Sequence, residues 1–454
     1  MTKPTKNVAK PFEYILFLEG IPMNSAVNVQ MKLFSLISQM NTDRKRFVRN
    51  PETDFSRKRK LSFQDTVLGI LSMESSSLKK ELLKFFDFSL DTPTVSAFCQ
   101  QRDKLLPAAF EFLFHAFNSC FHPNRTYRGY HLLACDGSDL LPNTNPNQKE
   151  TFFQTAPSRK GFNLLHLNAL YDLCDKQYKD ALIQPGRQRN EYTAMADMVD
   201  RYEGDTKTIF LCDRGYENYN LFAHVAEKGM AYLNRIKDRD GKSMASSFAL
   251  PEQEEFDHSM SLTLTRQQDA NVRKHPKLYR RIDPRSRFDY LDEEHHYYVL
   301  DFRVVRFKIK EDCYECIITN LPKETFPAEE IKKLYAMRWG IETSFRELKY
   351  AIGLNCFHSK KTGHLEQEIY ARLILYNFCE IITMDVVIEK KDTKHIYQAN
   401  HTVAIHICRH FLRGGISPPA VETMIQKNLL PVRPKRQASR KVGHQSAVSF
   451  LYRA

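Results

Sequence analysis

Long hydrophobic segments are what this chain most clearly lacks. No run within its 454 residues is apolar over the roughly 20 residues that a membrane-spanning helix needs. The N-terminal residues also lack the apolar stretch of a secretory signal. These absences argue against a membrane protein or a secreted one, and we expect a cytoplasmic protein.

Paired cysteine motifs are almost missing as well. The 10 cysteines are scattered, and only Cys313 and Cys316 form a Cys-x2-Cys pair, without the second pair of a typical structural zinc site. Cys135, Cys212 and Cys379 fall inside predicted strands or helices. We therefore expect reduced cysteines that act as small core residues.

The excess of positive charge is confined to the two ends of the chain. The formal net charge is +13. Residues 1–60 contain 12 Lys or Arg against 5 Asp or Glu, and residues 401–454 contain 9 against 1, so the middle of the chain is nearly neutral. Basic ends suit a protein that binds a polyanion such as DNA, although basic runs are often only solvated surface. The basic clusters are Arg44–Arg46, Arg57–Lys60 and Arg433–Lys441.

Four functional side chains share one stripe of a predicted helix at about 327–352. They are Tyr335, Arg338, Glu342 and Lys349. At about 100° of rotation per residue, these positions fall within roughly 60° of one another, where an apolar stripe is usual. An acid between cations suits a site that holds a metal and a phosphodiester. Ion pairing along a solvated helix face is the alternative.

Two short apolar runs upstream each end in an aspartate followed by a turn. His131–Cys135 leads into Asp136, and Thr208–Cys212 leads into Asp213. Because ligands collect at strand ends in open α/β sheets, both aspartates and Glu342 are expected to converge on a pair of divalent cations. Asp139 is a rival for Asp136, and acids at strand ends are also common as turn formers or helix caps.

This combination resembles the DDE transposases of bacterial insertion sequences, specifically the insertion-sequence-4 family, over about residues 94–385. The family's first acid stands in an Asp-Gly-Ser turn, here Asp136–Ser138, and its second in an Asp-Arg-Gly-Tyr turn, here Asp213–Tyr216. Its third belongs to a Tyr-x2-Arg-x3-Glu-x6-Lys signature, which contains Glu342 here. The resemblance implies an α/β fold: an RNase H-like catalytic core with a strand-rich insertion and a helical N-terminal domain.

The resemblance and the charge pattern together predict the chemistry. Asp136, Asp213 and Glu342 are expected to be catalytic and to bind two Mg²⁺ ions, for which Mn²⁺ can substitute. The DNA-binding residues of the signature are expected to be Tyr335, Arg338 and Lys349. The partners implied are double-stranded DNA, as terminal inverted repeats and as target, and a second copy of the chain in a homodimeric synaptic complex.

The predicted activity is metal-dependent cleavage and strand transfer of an insertion sequence at its terminal inverted repeats, by a cut-and-paste route. Two other functions remain open. One is a catalytically silent, transposase-derived DNA-binding protein, and the other is a different RNase H-like nuclease such as a junction or repair enzyme.

Five consecutive segments are predicted from composition and element patterns. Residues 1–130 form a helical, basic DNA-binding domain. Helices on either side of Pro93 could be a helix-turn-helix ending in Arg102 and Lys104, although core packing alone would explain the same apolar spacing. The other segments are the first part of the RNase H-like core at 131–236, a strand-rich insertion at 237–321, the second part of the core at 322–400, and a basic C-terminal region at 401–454.

Overall fold

The chain divides into two compact units, each built from segments that are distant in sequence. The computed structural model describes residues 25–122, 125–204, 206–238, 243–386, 397–415 and 418–432. Unit 1 takes its described residues from Met1–His122, Leu140–Leu164 and Arg346–Ala454, and unit 2 from Pro123–Asp139 and Leu165–Phe345. The basic cluster Arg433–Lys441 lies outside the described residues.

Helices account for most of unit 1 and for a smaller part of unit 2. In the described residues they are α1 (Ala26–Thr42), α2 (Phe63–Ser72), α3 (Leu78–Phe85), α4 (Val95–Arg102), α5 (Ala108–Ser119), α6 (Glu191–Asp200), α7 (Tyr219–Glu227), α8 (Ala270–Lys274), α9 (Ala328–Met337), α10 (Trp339–Tyr350), α11 (Thr362–Asp385), α12 (His401–Leu412) and α13 (Pro418–Lys427).

The strands fall into one large sheet and two small ones. In the described residues they are β1 (His131–Leu140), β2 (Phe152–Phe153), β3 (Phe162–Asn163), β4 (Leu165–Asp172), β5 (Gln177–Pro185), β6 (Thr208–Cys212), β7 (Ala231–Ile236), β8 (Phe256–Thr265), β9 (Tyr279–Arg281), β10 (Tyr297–Lys310), β11 (Cys313–Thr319), β12 (Tyr397–Ala399) and β13 (Leu429–Pro431). The large sheet has nine strands in the order β5-β4-β1-β6-β7-β11-β10-β8-β9. The fold is thus a mixed α/β structure with a large, mostly sheet core.

The centre of the nine-stranded sheet is parallel and buried on both faces. β1 pairs in parallel with β6, and β6 with β7. Leu133 and Phe210 belong to the core cluster on one face, whereas Leu132 and Ile209 belong to the cluster on the other. This alternation is the period of two that a strand imposes, and burial on both faces explains why β1 and β6 begin as continuous apolar runs.

The strands at 237–321 continue the same sheet. β10 pairs antiparallel with β8 and with β11, and β11 pairs antiparallel with β7. The segment contains β8 to β11, so strands are present where alternation predicts them, and its bounds as a separate insertion stay a prediction. Its strands add to the edge of the central sheet beyond β7, a pairing that alternation alone does not reveal.

Unit 1 is organised around α11. Nineteen of the 24 residues of α11 are buried, and α11 packs against α1, α2, α5 and α12. A helix that is buried all round lies at the centre of a helical assembly. α2 begins at a reciprocal capping box, in which the side chains of Ser62 and Asp65 each accept from the backbone amide of the other.

Arg102 does not have the position that a DNA-reading helix would give it. Its side chain is 1% exposed, and it donates hydrogen bonds to Gln367, Glu368 and the carbonyl of His364. The helix ends at Arg102 as predicted, the burial of this residue agrees with the alternative of core packing, and the helix-turn-helix itself stays a prediction. The buried guanidinium of Arg102 anchors α4 to α11 within unit 1.

Two further observations concern the whole described chain. All ten cysteines are free, and Cys135, Cys212, Cys316, Cys379 and Cys408 are buried, as predicted for reduced core residues. In the part of the chain that the structure describes, no helix combines the length and the hydropathy required to cross a membrane.

Candidate active site

Asp136 and Asp213 lie side by side on neighbouring parallel strands of unit 2. The paired register of β1 and β6 ends at Cys135 and Cys212. The next residues are Asp136, still within β1, and Asp213, directly after β6. Neighbouring strands are about 4.8 Å apart, and residues in register on parallel strands point to the same face. The strand alternation puts both aspartates on the face of the sheet that is covered by α9.

Backbone amides fix both carboxylates. Asp213 directly follows β6 and caps a short 3₁₀ helix, Arg214–Tyr216, because its Oδ1 accepts from the amide of Gly215 at 2.7 Å. Oδ1 of Asp136 accepts from the amide of Gly137 at 2.8 Å. The predicted turn after Cys135 is wrong, since β1 continues through Asp136 to Leu140.

Glu342 lies in the first turn of α10. The single helix predicted at 327–352 is in fact interrupted between α9 and α10 at Arg338. The amide of Arg338 bonds to the carbonyl of Tyr335, and the amide of Ile341 to that of Arg338, both at 3.1 Å. These i to i−3 bonds tighten the backbone locally.

Two contacts hold α10 against the sheet of unit 2. Ser344 Oγ lies 2.9 Å from the hydroxyl of Tyr178 on β5, and both residues are buried. A Cβ at Gly340 would lie 2.8 Å from Leu173 Cδ2. Glycine costs about 1 kcal/mol within a helix relative to alanine, but at this position it allows α10 to approach Leu173 closely.

Arg338 connects the acids of the site. Its Nη2 donates to Glu342 Oε1 at 2.8 Å, and its Nη1 lies 3.9 Å from Asp136 Oδ2. The Arg338 side chain is 5% exposed, and its Nε and Nη1 have no hydrogen-bond partner. The alternative of a solvated helix face with exposed ion pairs does not describe Arg338, because this cation is buried and faces the sheet.

The electrostatics of Asp136 show that the three acids influence one another. The pKa of Asp136 is raised to about 7, chiefly by burial; the carboxylates of Asp213 and Glu342 add to the rise, and the amide of Gly137 and the guanidinium of Arg338 oppose it. A carboxylate so perturbed by desolvation and like charge is typical of a functional site. Arg338 supplies one positive charge beside three carboxyl groups, so a bound cation would stabilise their charged forms.

The donor set fits hard divalent cations. All three acids supply carboxylate oxygens, the ligands that Mg²⁺ and Mn²⁺ prefer. These oxygens do not all lie within 4.8 Å of one another, a spacing that in the described residues only Glu347, Glu380 and His401 satisfy. A pair of ions about 3.5–4 Å apart would need a wider spread of ligands than a single ion does.

Asp139 has different partners from Asp136. Its Oδ1 lies 2.6 Å from His166 Nδ1 and 3.3 Å from Arg189 Nη1, and His166 Nε2 lies 3.1 Å from Glu191 Oε1. Because Asp139 follows Asp136 by three residues on a strand, it belongs to the opposite face of the sheet. The structure thus separates the two rivals, and Asp136 is the one that joins Asp213 and Glu342.

His166 is a residue that the sequence pattern did not single out. Its ring is 2% exposed and packs against the backbone of β1, so that a Cβ at Gly137 would lie 2.4 Å from His166 Nε2. Asp139 and Glu191 raise the pKa of His166 against the opposing effect of burial. A histidine and two acids that are distant in sequence have no spacing signature that could have revealed the cluster.

Tyr335 and Lys349 complete the predicted set. Tyr335 is 3% exposed, and its ring centre lies 5.6 Å from the guanidinium carbon of Arg338, a cation–π contact. Lys349 is half-buried in the last turn of α10. It groups with unit 1, so its place beside the acids of unit 2 stays a prediction.

Two curated transposases are similar to part of this chain. The chain is similar to the transposase for insertion sequence element IS231C of Bacillus thuringiensis subsp. berliner, with 22% identity over 240 residues, 46% of this chain and 48% of that one. Its similarity to the IS231E transposase of B. thuringiensis subsp. finitimus is 23% identity over 244 residues, again 46% and 48%. The chain spans about half the length of the curated relatives it matches.

A solved structure gives weaker similarity. It is the piggyBac transposase synaptic complex with hairpin DNA, at 11% identity, covering 88% of this chain and 81% of that chain with a TM-score of 0.43. A TM-score this low does not establish a common fold. The model of the transposase DDE domain, by contrast, matches residues 128–378, more than half of the chain and a range that includes all three acids. The chain therefore belongs to the family of DDE-domain transposases.

Proposed function

We propose that this protein is a transposase of the insertion-sequence-4 type, which cuts an insertion sequence at its terminal inverted repeats and joins it to target DNA. The observation that carries the proposal is the buried Arg338 between Glu342 and Asp136, with Asp213 on the neighbouring strand. Two acids at the ends of neighbouring strands, with a third acid and an arginine from the helices packed there, suit metal-assisted phosphodiester chemistry.

Asp136, Asp213 and Glu342 are the proposed ligands of two Mg²⁺ ions, with Mn²⁺ as a substitute. When bound, the ions would activate a water or a 3′-hydroxyl and stabilise the leaving oxygen. The three carboxylates would be positioned for the ions by local contacts. Backbone amides fix Asp136 and Asp213, and Ser344 fixes the helix that carries Glu342.

Arg338, Tyr335 and Lys349 are proposed to bind DNA. Nε and Nη1 of Arg338 are buried donors without a partner, and a phosphate oxygen would satisfy them. The ring of Tyr335 supports the guanidinium from one side. Lys349 would add a point charge for a second phosphate.

The proposed fold of the catalytic part is RNase H-like. The strand order β5-β4-β1-β6-β7, with β5 antiparallel to β4 and with β1, β6 and β7 parallel, supports this assignment. Binding of the terminal repeats is assigned to the helical N-terminal region. The exposed basic clusters Arg44–Arg46 and Arg57–Lys60 support it, although Arg44 itself is only partly exposed. A homodimer that bridges two repeats completes the proposal.

A cleavage and strand-transfer assay tests the function. Purified protein is incubated with Mg²⁺ and a duplex that carries the terminal repeats of the element. We expect Glu342→Gln to abolish cleavage and to leave repeat binding largely intact, because the substitution removes a metal ligand and keeps the shape. Glu329→Gln, at an exposed position of α9, is the matched control and should cut normally.

The same assay separates the other two functions. Repeat binding by the wild-type protein without any cut would identify a silent DNA-binding protein. Cuts that depend on DNA structure but not on the repeats would identify a different nuclease. Undiminished cleavage by Glu342→Gln would exclude the assigned site.

A further inference from the structure

A second cluster of potential metal ligands lies in unit 1. Glu347 on α10, Glu380 on α11 and His401 at the start of α12 each offer a ligand atom within 4.8 Å of the other two. We call these residues the Glu-Glu-His cluster. None of them belongs to the predicted catalytic set.

Glu380 is the most unusual member of the cluster. It is 2% exposed, and its Oε1 lies 2.8 Å from His401 Nδ1. Its Oε2 is buried and has no hydrogen-bond partner. A buried carboxylate oxygen without a donor is costly, and in native proteins it usually has a donor, a water or a cation beside it.

The surroundings orient the cluster. The hydroxyl of Tyr376, one turn before Glu380 on α11, donates to Glu347 Oε2 at 3.1 Å. Asn400 caps α12 by accepting from the amide of Val403, which fixes the backbone next to His401. Each ligand is thus held by a defined local contact before any ion binds. Binding an ion would therefore require little further ordering of the side chains.

The charges favour a divalent ion over an ion pair. A protonated imidazole supplies one positive charge against two carboxylates, whereas a divalent cation balances both. A mixed set of one nitrogen and two oxygens suits first-row transition ions such as Zn²⁺, whereas Mg²⁺ prefers oxygen alone.

We propose that the Glu-Glu-His cluster is a structural binding site for a divalent transition-metal ion such as Zn²⁺. The ion would take the place of the hydrogen bond between Glu380 Oε1 and His401 Nδ1, whose proton would be released to water, and would join α10, α11 and the start of α12. Because the folded unit binds the ion and the unfolded chain has no preformed site, the ion would stabilise unit 1.

The test uses the full-length protein after removal of metals by a chelator. Zn²⁺ is titrated calorimetrically with millimolar Mg²⁺ present throughout, so that the all-oxygen acids of unit 2 are already occupied. We expect one Zn²⁺ per chain and a rise in the thermal midpoint. His401→Gln and Glu380→Gln should each weaken Zn²⁺ binding at least tenfold. His406→Gln, at an exposed position on the same helix, should bind as the wild type does.

X-ray absorption of the zinc-loaded protein provides a second readout. The spectrum should show one imidazole among oxygen ligands, and His401→Gln should lose the imidazole signal. His401 is partly exposed, so this variant tests the site even if the buried Glu380→Gln does not fold. Wild-type protein that binds no Zn²⁺, or His401→Gln that binds it with unchanged affinity, would overturn the proposal.

Discussion

Asp136 should make the metal-free protein less stable at neutral pH than it is in mild acid. Its pKa in the folded protein is about 7, against an ordinary value of 3.8. Between these two pH values the folded state keeps a proton that the unfolded chain has released, so stability falls as pH rises through this window. The difference of about three units corresponds to at most about 4 kcal/mol, because each unit is about 1.4 kcal/mol.

Asp136→Asn removes this cost because the amide carries no charge. The side chain is 22% exposed, so solvent screening lowers the effect but does not remove it. We expect the advantage of the variant over the wild type to grow by about 2 kcal/mol between about pH 5 and pH 8. For a unit of this size, that corresponds to about 4–8 °C in the thermal midpoint.

The measurement is a thermal scan of both proteins in chelator at the two pH values. Asp139→Asn is the matched control on the same strand, and it should lower stability because it breaks the contacts to His166 and Arg189. Equal midpoints for Asp136→Asn and the wild type at pH 8 would refute the electrostatic reasoning. Excess Mg²⁺ should raise the midpoint of the wild type and not that of the variant.

Three other substitutions examine other parts of the molecule. Gly137→Ala should cost about 1–3 kcal/mol by urea unfolding, because the added Cβ would lie 2.4 Å from His166 Nε2. Glu368→Gln should cost about 3–5 kcal/mol by the same measurement, since it leaves the buried guanidinium of Arg102 without its charge partner at 2.8 Å. Tyr335→Phe should change the free energy of unfolding by less than about 0.5 kcal/mol, because the ring stays in place. The variant should cut DNA more slowly, because Tyr335 is proposed to bind DNA. Equal cleavage would argue against a role for the hydroxyl.

The strands that carry the first two acids could be predicted because local sequence determines them. Thr208–Cys212 is an apolar run of strand length followed by Asp213, and the structure ends β6 at that point. For the first run, His131–Cys135, the predicted strand is present and only its predicted end is wrong. The Asp-Gly-Ser sequence indicates a turn, but β1 continues through it, since pairing with neighbouring strands overrides a local turn preference.

Which distant segments pair with one another could not be predicted from the sequence. Alternation identified the strands of 237–321, yet it carries no information about which strand each one joins. The salt bridges of Arg102 and of His166 have the same origin, because each joins residues that are distant in sequence. The sequence therefore leaves a DNA-reading helix and a core-packed helix as alternatives for the segment that ends in Arg102, and only the fold shows that this cation is buried beside Glu368.

The interruption at Arg338 shows how the fold meets the demands of the site. An unbroken helix would present Arg338 and Glu342 one turn apart on a single stripe, with nothing to turn the guanidinium toward β1. The tightened backbone between α9 and α10, together with the close approach at Gly340 and the bond between Ser344 and Tyr178, brings the guanidinium within 3.9 Å of Asp136 Oδ2. Arg338 lies only 4% exposed and still leaves two nitrogens without a partner, a cost that a structural ion pair alone does not explain. In the proposed DNA-binding role, the same buried donors would favour a phosphate, because their desolvation is already complete.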